Sequence, residues 1–252
     1  MALKLPNFFV AKGILTNIQN FQLSRYDLST ARLALKDDVD AFFVNGLVSL
    51  AGSINSLSKE NYSWSFIQSY YSIFYFARAF NGINDYAIVY KDKKPWGIKL
   101  QPAQGFVKLK GNSHEVVLEQ FKEHFSNDAL LSSTIENQHP VDWFNNNRNH
   151  INYTMNPLPD PYPPIDLYRH YGDLRKWIVT YFADSSHVYT FDPKHCFIAF
   201  PLQLFLRIIT YYTDNGLSNM YINDKLDYLK RNFCDEKGAI TNITSKILDV
   251  AP

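Results

Sequence analysis

The sequence predicts a mostly α-helical protein with one small β-hairpin, and three observations carry that prediction. Apolar residues recur at helical spacing over long runs: Val39, Phe42, Phe43, Leu47, Leu50, Ile54 and Leu57 trace one stripe. Two segments, Ser63 to Phe80 and Phe197 to Tyr212, are apolar or aromatic nearly all round, which marks helices buried at the centre of a fold. Strand-like runs are short, at Tyr86-Ala-Ile-Val-Tyr90 and Gly97-Ile-Lys-Leu100, with Lys93-Lys-Pro-Trp96 between them reading as a turn.

Taken in order, residues 1–30 show no sustained period and are expected to form an irregular arm, with an extended piece at Phe8 to Val10. The first helix is expected from about Ser29 to Ser56, where Gly46 and Gly52 would let another helix approach closely. The second spans about Glu60 to Phe80 and is expected to stop at Asn81-Gly82, with Gly82 as a left-handed cap. Arg78, the only full charge in its second half, fits a cation near a helix C-terminus. After the hairpin, Asn112 with Glu115 makes a capping-box signal for a third helix, buried through Val116, Val117, Phe121 and Phe125. Pro140 suits the first position of a fourth.

Pro157-Leu-Pro-Asp-Pro-Tyr-Pro-Pro164 forbids helix and sheet alike and reads as a stiff, extended linker. Three helical segments follow, at about Ile165 to Phe182, Cys196 to Thr213 and Asn219 to Phe233. Pro201 should start or kink the middle one. A short amphipathic piece is expected past Glu236.

Composition narrows the function classes. A chain of 252 residues admits one large domain or two small ones, and 46% hydrophobic with 19% charged residues is ordinary for a folded protein. The 16% aromatic fraction, with 19 Phe and 17 Tyr, predicts aromatic cores and interfaces. A net charge of +1 supplies no global field to steer nucleic acid or an anionic membrane, so any such contact needs a local patch. Cys196 and Cys234 are too few for a disulfide framework or metal cluster and point to a reducing compartment. The N-terminus lacks the apolar run of a signal peptide, and no window approaches the roughly 20 uninterrupted apolar residues of a membrane span. A cytoplasmic protein without a membrane partner is the expectation.

Standard catalytic signatures are missing: no Walker loop, GxGxxG, GxSxG or HExxH occurs. With only 10 glycines, a phosphate-cradling loop is hard to find. His195-Cys196 invites a thiol nucleophile, but adjacent residues on a helix point about a hundred degrees apart, which favours a plain buried cysteine. The lysines of the hairpin tip could touch phosphate or simply face solvent.

The richest polar stretch is Trp143-Phe-Asn-Asn-Asn-Arg-Asn-His-Ile-Asn-Tyr-Thr154. Phe144 and Ile151, two turns apart, can turn one side to a core. Arg148 and Asn152 share a face, as do Asn149 and Tyr153.

Ser69-Tyr-Tyr-Ser-Ile-Phe-Tyr-Phe-Ala-Arg-Ala79 resembles the second-helix signature of HEPN domains (the higher-eukaryote and prokaryote nucleotide-binding family), in particular their YaaC-like branch. Gly111-Asn-Ser-His-Glu-Val-Val117 is similar to a helix start found between the family's signature helices, and Arg148-Asn149 falls where the family carries an Arg-polar-x-x-x-His motif. The likeness covers roughly residues 35 to 155. It implies a HEPN-like helical bundle at residues 31–156, with the hairpin inserted at about 86–100. The 157–164 linker and a helical C-terminal extension at 165–252, packed on the bundle, would follow.

In ribonuclease members, arginines and histidines from two copies form a metal-independent site in a dimer cleft. Arginine steadies the phosphate, and histidine moves the proton as the RNA 2′-hydroxyl attacks. Here the histidine position is held by Tyr153, and His150 comes three residues early, about sixty degrees round the helix in the other sense. A tyrosine with an ordinary pKa near 10 is a poor base at neutral pH.

Arg148, Asn149, Asn152 and Tyr153 are therefore the candidate nucleic-acid or nucleotide-binding residues. The catalytic assignment is open among Arg148, His150 and Tyr153. The resemblance implies an interaction or nucleic-acid-sensing component of a bacterial defence system with a degenerate ribonuclease motif. The alternatives are a metal-independent endoribonuclease using Arg148 with His150 or Tyr153, and a structural subunit in which these side chains only pack the fold. The expected partners are a second copy, RNA or a nucleotide, and a protein encoded nearby. No cofactor and no metal are expected.

Overall fold

The computed structural model describes residues 3–162, 174–235 and 237–252. The elements are α1 (Lys4–Ala11), a 3₁₀ turn (Ile14–Asn17), α2 (Arg25–Leu57), α3 (Tyr62–Ile83), β1 (Tyr86–Lys91), β2 (Lys94–Lys99) and β3 (Val107–Lys108). They continue with α4 (Ser113–His124), a 3₁₀ turn (Ala129–Leu131), α5 (Pro140–Tyr153), α6 (Leu174–Phe182), α7 (Val188–Phe191) and α8 (Cys196–Asp214). The last are α9 (Ile222–Asn232), β4 (Cys234–Asp235), β5 (Gly238–Ala239) and α10 (Thr241–Leu248). The protein is mostly helical with a small hairpin, as the periodicities require. The expected start of the helix at about Ile165 lies outside the described residues.

Two compact units emerge: residues 1–43 with 77–125, and residues 44–76 with 126–252. The division falls inside α2 and α3, and the proline-rich stretch lies within the second unit.

In the first unit Lys4–Ala11 is helical, where an irregular arm with an extended Phe8 to Val10 is expected from the sequence. Leu5 and Phe9, four apart, are buried, and Phe9 meets Phe106 edge-on at 5.2 Å. The buried Asp38 carboxylate accepts from Lys4 N (2.6 Å) and Leu5 N (3.0 Å), giving the first turn of α1 the acceptors it lacks. That acceptor is some thirty residues distant in sequence, so no local pattern announces it.

Helix α3 does not stop at Gly82. Gly82 is helical, and a Cβ there would lie 2.3 Å from Val39 Cγ2, so glycine serves the close approach to α2. The left-handed residue is Asp85 (φ 54), whose carboxylate pairs with Arg32 at 2.6 Å. Arg78 lies over the Phe42 ring, 3.9 Å from its centroid.

The hairpin is a two-residue connection, Asp92-Lys93, with both residues left-handed (φ 51 and 60) as a type I′ turn needs. A third short strand, β3, joins it in the order β1-β2-β3. Asn112 and Glu115 form the full capping box of α4. His124 at the end of α4 has its Nδ1 3.1 Å from Asn81 Oδ1 and its ring 4.4 Å from that of Tyr86. Burial holds its pKa below the ordinary histidine value.

In the second unit, Gly46 lets Phe76 approach α2: a Cβ there would be 2.4 Å from the ring. Ser53 and Ser65 Oγ each donate to the other's backbone carbonyl (2.7 and 2.8 Å), joining the same two helices. Phe66, Trp143, Phe144, Phe197 and Phe200 form an aromatic core, with Phe144 5.6 Å from both Phe66 and Phe200. Over its described part, residues 157–162, the proline stretch is not extended, and Pro163 and Pro164 lie outside the described residues. Asn156–Pro157 and Asp160–Pro161 are cis, Tyr162 N bonds Pro159 O at 3.0 Å, and Asp160 Oδ1 accepts from Ser63 N at 3.0 Å. Asp160 thereby meets an orphan N–H at the start of α3.

Helix α8 runs on through Pro201 instead of starting there. Proline offers no N–H to the carbonyl four residues back, that of Phe197, and Ser69 Oγ donates to it in place of the missing group. By length and mean hydropathy (1.3) α8 could cross a membrane, yet 72% of that window is buried inside the protein, the condition of a core helix. His195, which precedes it, is buried with Nδ1 2.8 Å from Tyr181 Oη, and burial depresses its pKa.

His124 and His195 set a pH dependence. Each has a folded pKa below the unfolded value near 6.5, so each favours folding while neutral. That contribution is complete above the unfolded pKa and is lost as pH falls through the folded one. The urea midpoint should decline from pH 7.5 to 5.5, above the ordinary carboxylate range, and the decline should shrink in His124→Gln. A flat midpoint would show that neither histidine is held neutral.

Candidate Arg148 site

The site stands on α5, and the packing of that helix decides which way its polar residues point. His139 Nδ1 accepts from Val141 N (3.3 Å) and Pro140 opens the first turn. Trp143, Phe144 and Ile151 are buried, and Trp143 Nε1 donates to Glu136 Oε2 at 2.8 Å. Arg148 is four residues after Phe144 and three before Ile151, so its stem leaves the helix at the edge of the buried face. Its head therefore reaches α3 within the same unit.

There the guanidinium meets tyrosines. Nη2 donates to Tyr71 Oη at 3.3 Å and Nη1 to Asn149 Oδ1 at 2.8 Å. The guanidinium carbon lies 5.4, 5.9 and 5.6 Å from the ring centroids of Tyr70, Tyr71 and Tyr153, within cation–π range. Nε is buried with no hydrogen-bond partner. Among the described residues no carboxylate pairs with Arg148. Burial works against its charge, but the Tyr71 bond and the phenols of Tyr71, Tyr153 and Tyr70 outweigh it and raise the pKa. Tyr70 is 1% exposed and bonds Asn145 Oδ1 at 3.2 Å, and burial pushes its phenol pKa far up. Tyr153, by contrast, is 76% exposed.

Of the sequence candidates, Arg148, Asn149 and Tyr153 come together. His150 and Asn152 are exposed, and among the described residues no hydrogen bond joins either side chain to Arg148. His150, two residues on, leaves the helix on nearly the opposite side from Arg148. The arrangement supplies a charged donor and an accessible ring without a base beside them. Tyr70, Tyr71 and Asn145 are the members that sequence reasoning missed. Ser69-Tyr-Tyr was legible as a family-like signature, but no spacing pairs position 71 with position 148.

The other reactive-looking pair is structural. Cys196 is fully buried, its thiol pKa is pushed well up by burial, and its Sγ lies 3.7 Å from Pro193 O. Among the described residues no group of three or more His, Cys, Asp or Glu side chains is placed to hold a metal ion. Comparison with family models, curated proteins and solved structures finds no match for the chain.

Proposed function

We propose that the protein is a HEPN-like component that binds RNA or a nucleotide through Arg148 and does not cleave it efficiently. One observation carries this reading: a guanidinium without a carboxylate partner, ringed by three tyrosines, one of them exposed. A guanidinium with unused donors suits a phosphate. An exposed ring beside it suits a base, because single-stranded nucleic acid is held by stacking over charged positions. Asn149 orients the guanidinium through its Nη1 bond, and Asn152 offers an exposed amide one turn from Arg148. Binding is favoured over cleavage because the proton-moving histidine of the family motif is Tyr153 here, while His150 stands off the guanidinium. A homodimer, a partner protein and a place in bacterial defence are proposals from the resemblance, and a cytoplasmic location is a proposal from the two cysteines and the apolar pattern of the sequence.

Fluorescence anisotropy with a labelled single-stranded RNA, in EDTA, tests the reading. Arg148→Ala is expected to weaken binding at least about tenfold, roughly 1.4 kcal/mol. Tyr153→Ala should lose about 1–3 kcal/mol, the value of one stacked base. Cleavage in EDTA that Arg148→Ala abolishes would replace this reading with a ribonuclease using Arg148 with His150 or Tyr153. No affinity for RNA or nucleotides, with a stable partner in a pull-down, would replace it with a structural subunit.

A further inference from the structure

A second charged feature lies in the first unit, on the small sheet. Antiparallel register places Lys91 opposite Lys94, and Trp96 opposite both Val89 and Lys108. Directly paired residues share a face, as do residues two apart on one strand. Lys91, Lys94, Trp96 and Lys108 are therefore on one side of the sheet, with Lys94 and Lys108 as diagonal neighbours. Residues 16–19, at the end of the first 3₁₀ turn, form the opposite wall of a cleft of about 210 Å³ over this face. That is about seven times the roughly 30 Å³ a water occupies in the liquid.

The charges in this cleft are unbalanced. None of the three lysines makes an ion pair among the described residues, and Asp92 is the only carboxylate lining the cleft. Lys91 Nζ donates once, to Thr16 O at 3.2 Å, which fixes its head at the cleft wall and leaves two N–H groups unused. Lys94 and Lys108 are exposed. Like charges placed directly across a strand pair oppose pairing, and here Lys91 and Lys94 stand opposite each other with no ion pair among the described residues. Trp96, 7% exposed, closes the floor and keeps the cleft from collapsing.

We propose that this cleft binds the phosphate chain of a small di- or triphosphate. Ammonium groups bind phosphate as point charges, and three of them around one cleft match an extended polyanion better than a single carboxylate. The proposal is independent of the Arg148 reading, since every residue it uses belongs to the first unit.

Calorimetric titration with inorganic tripolyphosphate at 0.15 M salt tests it. The variants are Lys94→Gln/Lys108→Gln and, as a charge-matched control, Lys225→Gln/Lys230→Gln on exposed positions of α9. Both lysines of the test variant are exposed, so the fold should tolerate it, which circular dichroism verifies. The expected result is saturable binding that weakens at least about tenfold in the first variant and is unchanged in the control. Equal weakening in both variants would reduce the effect to net charge and overturn the proposal. Unchanged binding in the first variant, or no binding at millimolar tripolyphosphate, would also overturn it. A single-stranded oligoribonucleotide that binds here and is not displaced by tripolyphosphate would assign the face to nucleic acid instead.

Discussion

Phe144→Ala is expected to lower the unfolding free energy by about 3–5 kcal/mol, the usual cost of deleting a buried phenylalanine ring. The ring is 0% exposed and touches aromatic neighbours on three elements: Trp143 on α5 itself at 5.1 Å, Phe66 on α3 at 5.6 Å and Phe200 on α8 at 5.6 Å. Rings held between helix backbones cannot close the space left behind, so the cavity cost adds to the lost transfer energy. Urea unfolding followed by far-UV circular dichroism measures the loss, and Phe144→Leu, which keeps most of the volume, should recover much of it. A loss below about 1 kcal/mol would mean that α5 is not held by this ring. The same variant should weaken RNA binding, because Phe144 sets the edge from which Arg148 reaches Tyr71.

Asp184→Ala should cost a comparable amount, about 3–5 kcal/mol, through hydrogen bonding instead of packing. The carboxylate is 6% exposed and accepts from Val188 N (2.9 Å), Tyr189 N (3.0 Å), Thr190 N (3.0 Å) and Thr190 Oγ1 (2.9 Å). It satisfies the opening N–H groups of α7, whose left-handed N-cap His187 makes no side-chain cap bond. Alanine leaves these buried donors without an acceptor, and a bond to a charged group is worth about 1.5–3 kcal/mol with poor additivity. Asp184→Asn separates charge from geometry. Its amide oxygen can keep the Tyr189 and Thr190 bonds, but its NH₂ group then faces Val188 N–H. It should fall between alanine and the native protein in urea midpoint, and an asparagine variant as weak as alanine would show that the bonds its oxygen keeps do not offset the lost charge and the lost Val188 acceptor.

What could be read from the sequence followed local rules. The stripe on α2, the Asn112 capping box, Pro140 at the start of α5 and the buried Phe144 and Ile151 all depend on spacings within a few residues. Where an atom far along the chain decides the outcome, the reading failed. The Asp38 carboxylate makes a helix of residues 4–11, Val39 turns Gly82 from an expected cap into a packing residue, and Asp160 ties residues 157–162 back to Ser63. The site divides in the same way. Arg148, Asn149 and Tyr153 could be picked out because they crowd one helix. Tyr71, which takes the guanidinium, sits among aromatics that read as core, and only the packing of α3 on α5 separates it from them.

Ser69 and Pro201 show what such distant pairings entail for inheritance. A chain that regains an N–H at position 201 no longer needs a hydroxyl at 69, whereas one that keeps the proline does. The dependence runs one way: drift at 69 is free only once position 201 is no longer proline, whereas the Phe197 carbonyl, with two lone pairs, can accept from both groups. Serine at the head of the tyrosine signature is thus tied to a helix more than a hundred residues away, and its persistence would record that debt as much as any role at the site.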